Sequence, residues 1–123
     1  MLNEAQIKDR GWESDLNNKF GWMGGGYLSF ECSGGWRFLL GDLLRRIDLA
    51  LEGEERESFQ VSQIKEKFGT LRFYHNGGER IERLVETAEK LSETTCDVCG
   101  SGGRLQGKGW VSVRCQAHED WRG

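Results

Sequence analysis

Cys96-Asp97-Val98-Cys99-Gly100, answered by Cys115-Gln116-Ala117-His118 with fifteen residues between Cys99 and Cys115, decides how the C-terminal quarter of this chain folds. The pattern C-x2-C-x15-C-x2-H offers three thiolates and one imidazole, the donor set that holds Zn²⁺ in a closed tetrahedron. The expectation is one structural zinc per chain on Cys96, Cys99, Cys115 and His118. The gap between the pairs is long enough for a β-hairpin. Arg104-Leu105-Gln106 reads as one short strand, Gly107-Lys108-Gly109 as the turn, and Trp110 to Arg114 as the second strand. The spacing is close to that of a zinc ribbon or a treble-clef-like element, with His in place of the last Cys. Gly100 is expected to relax the knuckle by adopting φ > 0. A redox C-x-x-C would open a helix after a strand, and no such unit is visible; disulfides would call for a signal peptide, which is not visible either.

Upstream, Glu79 to Ser92 reads as an amphipathic helix with Ile81, Leu84, Val85, Ala88 and Leu91 on one stripe. Before it lie two strands, Phe59 to Lys65 and Thr70 to His75, joined by a turn at Glu66-Lys67-Phe68-Gly69. Leu71, Phe73 and His75 point one way; Thr70, Arg72 and Tyr74 point the other. Residues 36–51 form the clearest helix, because Trp36, Leu39, Leu40, Leu43, Leu44, Ile47 and Leu51 recur at three- and four-residue steps. Gly53 stops it, and Glu54 to Glu57 reads as a charged link. The predicted fold class is α+β: a small antiparallel sheet packed by two helices, then the zinc element. The division expected is a core over 1–95 and a metal element over 96–123. Residues 1–35 read as irregular, a glycine–aromatic loop around Phe20 to Tyr27 leading to a strand near Tyr27 to Cys32. That loop matches no phosphate-binding pattern.

The chain has 123 residues, 18 Gly, no Pro and a formal charge of −3. An acidic balance disfavours non-specific binding of nucleic acid by the whole surface. No apolar run approaches membrane-spanning length, and thiols kept free for metal fit a reducing compartment, so the expectation is a cytoplasmic protein.

The stretch from Val61 to Tyr74, VSQIKEKFGTLRFY, resembles the central motif of a family of small uncharacterised bacterial and phage proteins. The resemblance extends to the Gly35-Trp36 helix start, the C-x-x-C-G knuckle, and the C-x-x-H pair that follows Gly109-Trp110. It covers roughly residues 35–118 and implies a shared α+β fold with a metal element. It implies no particular activity, and a phage or mobile-element origin would fit an inhibitor or accessory factor acting on a host protein.

No catalytic constellation is visible. Four protein ligands leave a metal no open position for water. A zinc deaminase would need H-x-E and P-C-x-x-C. A treble-clef nuclease would need a His between the ligand pairs, and residues 100–114 have none. His75 and Cys32 read as structural residues. The function expected is binding to a protein partner through Trp22, Met23, Tyr27 and Trp110, since aromatic and Met side chains are enriched at interface centres. The alternative is nucleic-acid binding through Lys65, Lys67, Arg72, Arg104, Lys108 and Arg114.

Overall fold

The computed structural model describes residues 1–121. Residues 1–35, expected to be irregular, hold two helices: α1 (Glu4–Lys8) and α2 (Gly11–Phe20). Asn3 caps α1 through a reciprocal box. Its side chain accepts from the Gln6 N–H, and the Gln6 side chain accepts from the Asn3 N–H, both at 2.9 Å. On α2, Trp12, Leu16 and Phe20 recur every fourth residue and face the core. A 3-10 turn at Gly21–Gly24 and left-handed Gly25 fold the chain back. The Asn17 side chain then grips both backbone groups of Leu28, accepting from its N–H at 2.6 Å and donating to its carbonyl at 2.9 Å. The glycine-rich segment is therefore a pinned return, and Met23 inside it is fully buried.

β1 (Phe30–Glu31) leads through a 3-10 turn at Gly34–Trp36 into α3 (Arg37–Ala50). The charged link at 53–58 is a short helix, α4 (Gly53–Ser58). β2 (Val61–Lys67) and β3 (Thr70–His75) form the expected antiparallel hairpin, and α5 (Glu79–Ser92) follows. The sheet order is β1-β2-β3, with β1 parallel to β2, so the main sheet is mixed rather than antiparallel. The physical reason is the connection: parallel strands require a crossover, and α3 supplies it. The second sheet is the antiparallel pair β4 (Arg104–Gln106) and β5 (Ser112–Arg114).

One sheet face and two helices make the core. Ile64, Leu71 and Phe73 bury against Leu40, Leu44 and Ile47 of α3 and Ile81, Val85 and Ala88 of α5. Burying each such aliphatic side chain contributes about 1.5–3 kcal/mol. Leu91, expected on this stripe, is exposed, because the last turn of α5 points Ser92 inward instead. Ser92 Oγ accepts from the Leu71 N–H at 2.9 Å, and Glu89 accepts from the Phe73 N–H at 3.0 Å. Those bonds satisfy the open edge of β3, which would otherwise invite strand pairing. The hairpin turn needs only Phe68 and Gly69. Both have positive φ, and Phe68 at 53° is the one such residue other than glycine among the described residues. Two-residue hairpin loops favour this left-handed pair because it matches the strand twist.

Gly35 and Trp36 join this core to the C-terminal element. The Gly35 N–H donates to the Asp97 carbonyl at 2.9 Å, and a Cβ on Gly35 would lie 2.3 Å from the Asp97 carbonyl carbon. Only glycine fits that approach. The Trp36 ring is fully buried, and its Nε1–H donates to the Thr95 carbonyl at 3.0 Å.

Candidate metal centre

The first ligand pair sits on a tight knuckle. The Gly100 N–H donates to the Cys96 carbonyl at 3.0 Å, and the Cys96 N–H donates to the Ser101 carbonyl at 2.7 Å. Gly100 has φ 84°, the conformation expected of it. The β4–β5 hairpin carries the chain back, and Cys115 follows β5 directly. A 3-10 turn at Gln116–His118 then turns the His118 ring toward the thiols. Three residues per turn places Cys115 and His118 on one side.

The four ligand atoms all lie within 4.8 Å of one another. Cys99 Sγ and Cys115 Sγ are 3.8 Å apart; His118 Nδ1 is 3.2 Å from Cys115 Sγ and 3.9 Å from Cys96 Sγ. A tetrahedral ion with metal–sulfur bonds of about 2.3 Å and metal–nitrogen bonds of about 2.0 Å needs edges of about 3.8 Å and 3.5 Å. The cluster fits one structural metal ion. Ser101 Oγ lies 3.0 Å from Cys99 Sγ, where its hydroxyl can donate to a thiolate. The His118 ring meets Trp121 edge-on at 5.3 Å. Burial pushes the Cys96 thiol up. Burial acts the same way on Cys115, but hydrogen bonds from Ser101, Cys96, Cys99 and His118 outweigh it and bring that thiol down to about 6. The N-terminus covers the knuckle: the Leu2 N–H donates to the Cys99 carbonyl at 2.9 Å, and Leu2 packs with Val98.

The other candidate residues divide. Of the four expected to meet a protein partner, Met23 is wholly inside the core, a correction to its proposed contact role. Trp22 is half-buried under the Arg56 guanidinium, 4.3 Å above its ring. Tyr27 and Trp110 are exposed, on different parts of the molecule: Tyr27 beside Gln60–Ile64 and Trp110 on the 107–111 loop. Of the six basic candidates, Arg114 is unsuited to reach a ligand, because it is mostly buried and paired with Asp97 at 2.6 Å. Arg104 is exposed, 4.0 Å from Glu119. Lys65 and Arg72 stand directly opposite each other on the sheet face turned away from the core, with Lys67 and Tyr74 beside them. Like charges placed opposite each other destabilise a sheet. Arg10, Arg45, Arg46, Arg56, Arg80 and Arg83 all pair with acids, whereas Lys65, Lys67, Arg72 and Lys108 form no ion pair among the described residues.

His75 is a structural fastener. The Gly77 N–H donates to its Nδ1 at 3.0 Å, so the proton sits on Nε2, 3.1 Å from Glu82 Oε1. Burial pushes the Cys32 thiol up to about 12, which keeps it protonated and poorly nucleophilic. Among the described residues, no helix is long and apolar enough to cross a membrane. Comparison of the chain with protein-family models, with curated proteins and with solved structures finds no match.

Proposed function

We propose that this chain is a non-catalytic binding module, stapled at its C-terminus by one zinc ion, whose open sheet face takes single-stranded nucleic acid. Zinc is the reading for the metal because three thiolates and an imidazole in a closed tetrahedral arrangement suit it better than the harder divalent ions. The knuckle, the hairpin and a second ligand pair on a short helical turn follow the order of a treble clef, with its last helix reduced to 3-10 form.

The observation that carries the binding reading is the unneutralised cation cluster of Lys65, Lys67 and Arg72 on one face of the β2–β3 hairpin. A fold that pairs most of its arginines with acids leaves these without an ion pair among the described residues. Arg72 is held ready by bonds from its Nη1 to Thr70 Oγ1 at 2.6 Å and to the Leu71 carbonyl at 3.1 Å. Tyr74, on the same face and 41% exposed, gives a base a ring to stack on. Glu31 is the acid nearest Lys65 in register, and it accepts from the Gln63 side chain at 3.1 Å.

Labelled single-stranded oligonucleotides titrated at low salt test this. We expect binding that weakens as salt rises, with a slope of about −0.7 per phosphate neutralised. Lys65→Ala with Arg72→Ala should flatten that slope by about two contacts. No binding at low salt would sink the nucleic-acid reading. The second reading, a protein partner, is favoured by Trp110, which is 84% exposed. A host-directed phage factor would fit it. A partner captured by the unchanged protein and lost with Trp110→Ser, while Lys65→Ala leaves it, would establish that reading instead.

A further inference from the structure

We infer that the buried Asp97–Arg114 ion pair positions the two halves of the metal site, holding one ligand pair in register with the other. This rests on the zinc reading above. Asp97 lies between Cys96 and Cys99, and Arg114 immediately precedes Cys115. Asp97 Oδ1 and Arg114 Nε meet as an ion pair at 2.6 Å, and neither atom makes a hydrogen bond among the described residues. The side chains are only 9% and 16% exposed. The same guanidinium reaches further. Its Nη1 donates to the His118 carbonyl at 3.2 Å and to the Trp121 carbonyl at 2.9 Å. One side chain thus touches the first knuckle, the backbone of the fourth ligand, and the segment that packs on the His118 ring.

The backbone of the pair is equally tied. The Asp97 N–H donates to the Val113 carbonyl at 2.9 Å, and the Asp97 carbonyl accepts from Gly35. The Arg114 carbonyl accepts from the Gln106 side chain at 3.0 Å. The clamp therefore spans the knuckle, both hairpin strands and the start of the core.

Why a charged pair here? A buried ion pair is a poor source of stability, because desolvating both charges offsets most of their attraction; apolar residues of similar size often serve as well or better. What the pair supplies is direction, since a guanidinium fixes several oxygens in one plane. Nor does it adjust the charge of the site, because the pair is neutral. Its contribution is geometric, the kind of support around metal ligands whose loss weakens metal binding by 10–100-fold.

The test measures zinc affinity by competition with a colorimetric chelator, on the full chain, for three proteins. These are the unchanged chain, the double variant Asp97→Leu with Arg114→Met, and Arg114→Lys. The apolar pair removes direction and keeps bulk. Arg114→Lys keeps the charge and loses the planar reach to His118 and Trp121. We expect zinc affinity to fall at least tenfold in the apolar pair and at least fivefold in Arg114→Lys. The cobalt-substituted spectra should broaden, while the amides of Leu71, Phe73 and Ile81 keep their exchange protection. Affinities within twofold of the unchanged chain in both variants would overturn the clamp and leave the zinc reading intact. If the apolar pair fails to fold, Arg114→Lys decides by the same threshold. An unchanged chain that binds no zinc would overturn the metal reading, and the clamp with it.

Discussion

The helix–hairpin core and the metal element are held together by different means. The core encloses Trp36, Leu40, Leu44, Ile47, Ile64, Leu71, Ile81 and Val85 in one continuous apolar cluster. The element has a second, much smaller cluster of Leu2, Cys96, Val98 and Cys99, and two of those four are candidate metal ligands. Without the ligands, what remains is Leu2 and Val98, the buried Val113 nearby, and half-buried Ile7 and Trp121. So little apolar surface cannot offset the conformational entropy of ordering some 25 residues. The core draws its cohesion from area removed from water, and the element has instead the candidate metal site and the seam at Gly35 and Trp36.

The largest expected effect follows from removing the metal or a ligand. Structural zinc sites contribute about 10–16 kcal/mol of apparent binding free energy at neutral pH. Chelation, or Cys99→Ala, should abolish exchange protection across 96–121 while β2, β3 and α5 keep most of theirs. If the core lost protection in the same step, the two regions would be one cooperative unit and the contrast would fail.

Trp36→Ala comes next, at about 3–5 kcal/mol by denaturant titration, as expected for a fully buried large aromatic. Leu44→Ala should cost about 2–5 kcal/mol on the same logic. The two should differ in kind. Losing the Trp36 bond to Thr95 should also loosen the knuckle and speed zinc release, whereas Leu44→Ala should leave the release rate unchanged. Equal release rates in both variants would show that the seam transmits nothing.

Gly35→Ala should cost about 1–3 kcal/mol, since the added methyl meets the Asp97 backbone rather than a yielding side chain. The smallest effect has the opposite sign. Phe68 is exposed and held at positive φ. Phe68→Asn should raise stability by about 1 kcal/mol, because Asn tolerates the left-handed turn that an aromatic residue resists. A loss of stability would show that the ring makes a contact worth more than the strain.

How far the sequence could be read divides along similar lines. The α3 and α5 stripes and the β2–β3 alternation were legible, because hydrophobic period follows directly from which face is buried. The ligand set was legible because coordination demands fixed residue types at fixed spacing. The two short helices within residues 1–35 were not legible, because neither carries a long apolar stripe. Two short signals are present there, the Asn3–Gln6 capping box and the recurrence of Trp12, Leu16 and Phe20 at every fourth residue. The side-chain grip of Asn17 on Leu28, which buries Met23, is a contact across eleven residues that no local pattern announces. The parallel pairing of β1 was hidden for a similar reason, since a two-residue strand has no period. Arg114 read as a free cation because its partner Asp97 lies seventeen positions away in sequence.

The most direct test is native mass spectrometry of the full chain purified without chelator, beside Cys115→Ser. We expect one zinc per chain in the unchanged protein and none retained by the variant. A zinc-free chain whose residues 96–121 are nonetheless folded, or full zinc retention by Cys115→Ser, would contradict a metal-stapled C-terminus.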